Sequence, residues 1–177
     1  MIDIPPAALV LLIGVPGSGK SSFAALHFDP EMVGSSDQWR GVLAGDEADQ
    51  RATEVAFARL HQWLDARLST GGVAVVDATN TEWMRRAALI RRAREARRPV
   101  VAIALDLPLE VCLTRNAARG RRVQAAVIRR QHSELRRDLD RLDLEGFDAV
   151  HVLRSQDEIE RVIVRIEKGP VPRALSS

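Results

Sequence analysis

Cys112 is the sole cysteine in a chain of 177 residues, so an internal disulfide framework is excluded and a reducing compartment, the cytoplasm, is the expected location. Apolar runs are all too short to cross a bilayer, and no charged segment precedes the apolar stretch near the N-terminus. No membrane partner is therefore expected. Histidines are few, and His27, His61, His132 and His151 lack metal-ligand spacing. Internal repeats and low-complexity segments are missing too. Lysine is nearly absent, so arginine carries almost all of the positive charge.

What is present fits one soluble globular domain: 46% apolar and 28% charged residues in 19.6 kDa. Net charge is +2 and the sequence pI is about 9.3. Arginine keeps its charge at any working pH, and its planar fork of donors matches phosphate geometry. The base is unevenly spread, with seven arginines between Arg85 and Arg98 and more between Arg115 and Arg141. Acidic residues gather elsewhere, from Asp46 to Glu54. This asymmetry permits a nucleic acid partner, although charged helices most often simply face water.

Short apolar runs alternate with amphipathic stretches, the pattern of an α/β fold with a parallel sheet. Strands are expected at Ala7 to Ile13, Met32 to Gly34, Val73 to Val76, Val100 to Asp106 and Ala149 to Leu153. Helices are expected from about Gly19 to His27, from about Asp37, and over Ala48 to Leu68. In this last helix Val55, Phe57, Leu60, Trp63, Leu64 and Leu68 form the apolar face. Further helices are expected over Thr81 to Arg98, Leu109 to Ala118, Val123 to Leu139 and Asp157 to Ile166. Gly169-Pro170-Val171-Pro172 reads as a linker or frayed end, giving a domain over 1–168 and a tail over 169–177.

Gly14-Val15-Pro16-Gly17-Ser18-Gly19-Lys20-Ser21 satisfies G-x-x-x-x-G-K-[ST], with Ser22 following. Glycines let the backbone turn tightly and approach an anion closely. Successive N–H groups point inward, and the N-terminus of the next helix adds a favourable dipole. Lys20 reaches the β- and γ-phosphates of a nucleotide, and the Ser21 hydroxyl is placed to ligate Mg²⁺. ATP and Mg²⁺ are the expected cofactors.

Ser35-Ser36-Asp37 closes the second strand, with Arg40 one helical turn later. Ligands of parallel sheets bind at the carboxyl ends of strands, so Asp37 should face the same crevice as the glycine loop. A carboxylate there can take the proton of an attacking hydroxyl, and Arg40 can hold an acceptor phosphate. The plainer alternative is that Asp37 or Ser36 caps the helix and Arg40 is solvated; the neighbouring glycine loop favours the acceptor role. Asp77, at the end of the apolar run Val73 to Val76, suits an acid that helps hold Mg²⁺, or else a helix cap.

Arg115, Arg119 and Arg122 stand at i, i+4 and i+7, a single stripe if the helix continues, although Gly120 should end it. Between two helices after the fourth strand, they are placed for a lid over the triphosphate, where positive charge stabilises the transferring oxygens. Arg85, Arg86, Arg91, Arg92, Arg94, Arg97 and Arg98 are expected to point outward around an apolar stripe of Trp83, Ala87 and Ile90. Trp39, Trp63 and Cys112 read as packing residues.

The layout from about Leu9 to Ile166 resembles the 5′-OH polynucleotide kinase module of the bacterial end-healing and sealing RNA repair enzymes. Four blocks carry the resemblance. They are the glycine loop with Lys20-Ser21-Ser22, Ser35-Ser36-Asp37-x-x-Arg40, Val75-Val76-Asp77-Ala78-Thr79-Asn80, and Cys112-x-x-Arg115-Asn116-x-x-Arg119-x-x-Arg122 with Val123-Gln124. The resemblance implies a P-loop NTPase fold, about five parallel strands flanked by helices, with a helical arginine-bearing lid. It implies transfer of the ATP γ-phosphate to the 5′-OH end of RNA or DNA. Asp37 is then the general base and Arg40 holds the terminal acceptor phosphate. Lys20, Arg115, Arg119 and Arg122 hold the nucleotide phosphates, and Ser21 ligates magnesium. In such enzymes phosphatase and ligase-like domains follow the module, so this sequence is either an excised module or a stand-alone kinase. A small-molecule kinase and an ATP-dependent switch without an acceptor are the competing readings.

Overall fold

The computed structural model describes residues 1–35, 50–120 and 122–168. Apolar, β-branched segments form the strands: β1 (Ile2–Ile4), β2 (Leu9–Ile13), β3 (Val33–Ser35), β4 (Ala74–Asp77), β5 (Val100–Leu105), β6 (Ala149–Leu153) and β7 (Val164–Ile166). Five of them make a parallel sheet in the order β3-β4-β2-β5-β6. The helices are α1 (Lys20–His27), α2 (Gln50–Thr70), α3 (Trp83–Glu95), α4 (Leu109–Ala117), α5 (Ala125–Asp138) and α6 (Gln156–Arg161).

Every residue of β2 and β5 is buried, as expected of central parallel strands covered on both faces. The alternation along β2 sorts the core into two layers. Val10 and Leu12 pack with Phe23 and Ala24 of α1 and with Ile128 of α5. Leu9, Leu11 and Ile13 pack with Leu60, Leu64 and Leu68 of α2 and with Leu89 and Ile90 of α3. Helices thus cover both faces of a parallel sheet, the α/β P-loop architecture that the sequence implies. Because all five strands run the same way, Ile13, Ser35, Asp77, Leu105 and Leu153 end along one edge, and Leu12 and Ser35 both pair in register with Asp77. Among the described residues no helix is long and apolar enough to cross a membrane.

Three expectations need correction. In α2 Leu60, Leu64 and Leu68 are buried as expected and Trp63 packs inward over Gly34, where any Cβ would collide with its ring, but Val55 is exposed; the side chain of Phe57 lies outside those described. In α3 the buried residues are Arg86, Leu89, Ile90 and Ala93: Ile90 is buried as expected, but Ala87 is only partly buried and Trp83 is 53% exposed. Arg86 is therefore a core residue rather than one of an outward-facing set. The last helix stops at Arg161 instead of reaching Ile166, since Val164–Ile166 pairs in parallel with Ile2–Ile4 in a second, two-stranded sheet. Val162, Ile163, Val164 and Ile166 are β-branched and favour that extended pairing once Ile2 and Ile4 are there to share it. The tail over 169–177 lies outside the described residues.

Candidate functional site

The glycine loop lies at the carboxyl edge, between the end of β2 and the start of α1. Gly14 N–H donates to the Thr79 carbonyl (2.9 Å), and Ser18 N–H closes a turn on the Val15 carbonyl (3.1 Å). Gly19 caps α1 in the left-handed region at φ 99°, a conformation that glycine adopts without steric penalty. The first turn of α1 has no acidic residue and takes no side-chain cap, so its orphan N–H groups and positive helix end face the loop. The Lys20 ammonium folds back over this loop, donating to the Val15 carbonyl (3.0 Å) and to Ser18 Oγ (3.4 Å). Lys20 and Ser18 are buried, while Ser21 and Ser22 are exposed. A di- or triphosphate fits this donor set: backbone N–H groups, one ammonium and a helix N-terminus, with no carboxylate in the first turn to repel it.

Asp77 ends β4 beside the loop and is 6% exposed. Among the described residues no group of three or more His, Cys, Asp or Glu gathers to cage a metal. A magnesium ion that keeps several waters and the nucleotide's own oxygens needs no such cage. Ser21 and Asp77 are the residues that would be available to such an ion.

The segment after Asp77 is stitched to the loop. Asn80, in the left-handed region at φ 48°, donates from Nδ2 to the Leu12 carbonyl (2.8 Å). Arg86 lies beneath it with no exposed surface. It donates to the carbonyls of Asn80 (3.0 Å) and Thr81 (2.7 Å), grips Glu145 with both Nε and Nη2 (2.7 and 2.5 Å), and reaches Asp138 (3.1 Å). Burial works against the Arg86 charge, but the two carboxylates outweigh it and raise its pKa above the usual value.

On the other side, α4 rests directly on the loop. Gly17 has φ 88°, and a Cβ there would collide with the Cys112 carbonyl oxygen. This contact aims Arg115, one turn further along, at the loop: its Nη1 is 3.8 Å from where a Gly19 Cβ would be. Gln156 Oε1 accepts from Arg115 Nη2 (2.7 Å). Beyond α4, Asn116 fixes the turn reciprocally, donating to the Val123 carbonyl (2.8 Å) and accepting from Val123 N–H (3.0 Å). Arg119 and Arg122 lie in this turn and are exposed, with Arg122 Nε 3.4 Å from the Arg119 carbonyl. The helix ends at Ala117, next to the expected end at Ala118, so Arg119 and Arg122 do not continue the stripe from Arg115. Cys112 is fully buried as expected. Burial pushes its thiol pKa up, Lys20 and Arg115 pull the other way, and Asp106 adds to the rise.

The structure therefore brings Gly14, Val15, Pro16, Gly17, Ser18, Gly19, Lys20, Asp77 and Arg115 to one edge, with Arg119 and Arg122 on the turn beyond. Asp37 and Arg40 lie outside the described residues. Sequence reasoning passed over Asn80 as a linchpin, Gln156 as a partner of Arg115, and Arg86. For Asn80 the signal was there: an asparagine just after a strand end is a common occupant of left-handed backbone.

Residues 9–142 match the sequence family described as an AAA domain. The chain belongs to this family. No curated protein matches the sequence of this AAA domain. Among solved structures it is similar to a chain of the Pnkp1/Rnl/Hen1 RNA repair complex, with 21% identity and a TM-score of 0.68 over 81% of this chain and 48% of that one. A sugar kinase from Janibacter sp. is 23% identical, with a TM-score of 0.59 over 88% of this chain and 92% of that one. The AvrRxo1-ORF1:-ORF2 complex with ATP is 16% identical, with a TM-score of 0.63 over 86% and 55%. At these identities the likeness is one of fold. The AAA domain spans about half the length of the RNA repair chain it resembles.

Proposed function

We propose that this AAA domain is an ATP-dependent phosphotransferase acting on the 5′-hydroxyl end of RNA or DNA. The observation that carries the phosphotransfer reading is that two cations lie at the glycine loop: the Lys20 ammonium on the Val15 carbonyl, and Arg115 with its Nη1 3.8 Å from where a Gly19 Cβ would be. A second cation at the loop beside the lysine suits the negative charge on a transferring phosphoryl group. The fold of a structure that contains ATP supports ATP as the donor.

In the reaction, the Asp37 carboxylate takes the proton from the acceptor's 5′ oxygen as that oxygen forms a bond to the γ-phosphorus. The bond between that phosphorus and the β–γ bridging oxygen breaks, and ADP leaves. Lys20 and Arg115 balance the negative charge on the transferring and leaving oxygens, with Arg119 and Arg122 contributing from the turn. When bound, Mg²⁺ would neutralise charge on the nucleotide phosphates, and Ser21 and Asp77 are the residues that would hold it. Arg40 clamps the acceptor's first phosphate, which selects a polynucleotide end over a lone hydroxyl. Support for this acceptor is the Ser35-Ser36-Asp37-x-x-Arg40 block and the likeness to a chain of an RNA repair complex.

The likeness to a sugar kinase over nearly the full length of both chains favours a small hydroxylated metabolite as the second reading. A single panel separates the two: radiolabelled ATP with 5′-OH RNA, 5′-OH DNA, and sugars or sugar acids. Label on the oligonucleotides alone is the expected result, and label on a metabolite alone overturns it. Asp37→Ala should abolish transfer while leaving ATP affinity within about twofold, since the base touches only the acceptor.

A further inference from the structure

Arg86 is the largest fully buried side chain of the described residues, and it is charged. A buried guanidinium needs all of its donors satisfied, and here they are spread over four partners from three parts of the chain. Glu145 and Asp138 supply the countercharge from the end of α5 and the segment after it. The other two partners are main-chain carbonyls, Asn80 and Thr81, in the connection that leaves Asp77. An ion pair that served only to join two helices would not need those carbonyls.

We propose that Arg86 is a positioning residue for the phosphate loop. The chain of contacts is short and continuous. Arg86 holds the carbonyls of Asn80 and Thr81; the Asn80 amide holds the Leu12 carbonyl on the loop strand; and the neighbouring Thr79 carbonyl receives the Gly14 N–H that opens the loop. The same connection leads out of Asp77, which pairs in register with Leu12. Arg86 thus sets the distance between the magnesium-side acid and the first loop amide without touching nucleotide itself. Asp138 also accepts from Arg137 (3.1 Å), so it keeps a partner when Arg86 is removed, whereas among the described residues Glu145 pairs with Arg86 alone.

This inference rests on the nucleotide reading of the loop, and the test separates the two. In the full chain, Arg86→Met combined with Glu145→Leu removes the buried charge and its unpaired partner together, and Asn80→Gly cuts the same connection at the loop while tolerating the left-handed backbone. Three quantities are measured: the thermal midpoint, the Mg·ATP dissociation constant by titration, and the exchange rate of the Gly14 amide by NMR. Both variants are expected to weaken Mg·ATP binding at least tenfold and to speed Gly14 exchange at least tenfold, with KM for the acceptor unchanged. Arg86→Lys restores charge but not the fork, and should recover stability more than nucleotide affinity. If the folded variants bound Mg·ATP as tightly as the unmodified chain and protected Gly14 equally, the positioning role would be overturned. Should the paired variant fail to fold, Arg86→Lys decides by the same criteria, since it keeps the buried charge and removes the fork that holds the two carbonyls. If the unmodified chain bound no nucleotide, the phosphate-loop reading would fall, while Gly14 exchange would still answer for the connection.

Discussion

At Gly17 one methyl group decides whether α4 can lie on the phosphate loop. A Cβ there would overlap the Cys112 carbonyl oxygen, and main chain cannot swing aside as a flexible side chain can. Gly17→Ala should therefore cost roughly 1–3 kcal/mol by overpacking, read as a lower thermal midpoint. It should also weaken nucleotide binding, because Arg115 moves away with the helix; unchanged ATP affinity would mean that α4 is not seated by this contact. Arg115 bears more directly on the rate. Its truncation in Arg115→Ala should slow phosphoryl transfer by about 10³-fold, as for other arginines that neutralise a transferring phosphoryl group. Single-turnover kinetics would report this, and a loss below tenfold would move the role to Arg119 or Arg122. These residue roles were legible to different degrees. Gly17 and Lys20 belong to a local backbone pattern, so the sequence places them in the loop, but the contact of Gly17 with Cys112 comes from the fold. Gln156, which orients Arg115, lies 41 positions away from it, and no spacing rule connects the two.

At the scale of elements, short helices depend on their ends. α6 has only six residues, and Ser155 caps it by accepting the Glu158 N–H at 3.1 Å. Glu158 answers by accepting the Arg154 N–H (2.6 Å), a reciprocal capping arrangement. Ser155→Ala should cost about 1 kcal/mol of stability, measured by denaturant unfolding. Because Gln156 begins this helix, the same change should also lower the transfer rate modestly; a stability loss without any rate effect would show that Gln156 holds its place unaided. Element types were mostly readable, since β2, β5 and α2 have long, unmixed patterns. The end of α6 was not. A run of β-branched residues after a helix is equally compatible with continuing it, and the presence of Ile2 and Ile4 alongside settles the matter.

Over the whole molecule, three half-buried histidines in separate elements share one direction of shift. Burial lowers the pKa of His27, of His61 and of His151 from the model-compound value of 6.5. Near His61 the Arg92 charge adds to the lowering and Asp65 opposes it; near His151 the N-terminal ammonium adds and Asp3 opposes. A depressed folded-state pKa means that the unfolded chain binds the proton first. The contribution of these histidines is therefore fully present above pH 6.5 and is lost as pH falls below it. The thermal midpoint should drop between pH 7.5 and pH 5, and a chain with all three changed to glutamine should drop less. Equal drops in the two chains would assign the acid sensitivity to carboxylates instead.

By itself the sequence determined the glycine loop, the parallel α/β class and the membership of Lys20 and Asp77 in one crevice, because each follows from short-range patterns. A turn needs glycine within a few residues, and a strand buried on both faces announces itself as an unbroken apolar run. Only the tertiary structure decided which of seven similar arginines is buried and which residues bring Arg115 to Gly19. Arg86 looks like its neighbours until Glu145, 59 positions later, comes close enough to neutralise it. Desolvating a charge is favourable only when its partners are assembled by the fold, and that assembly is a property of three dimensions.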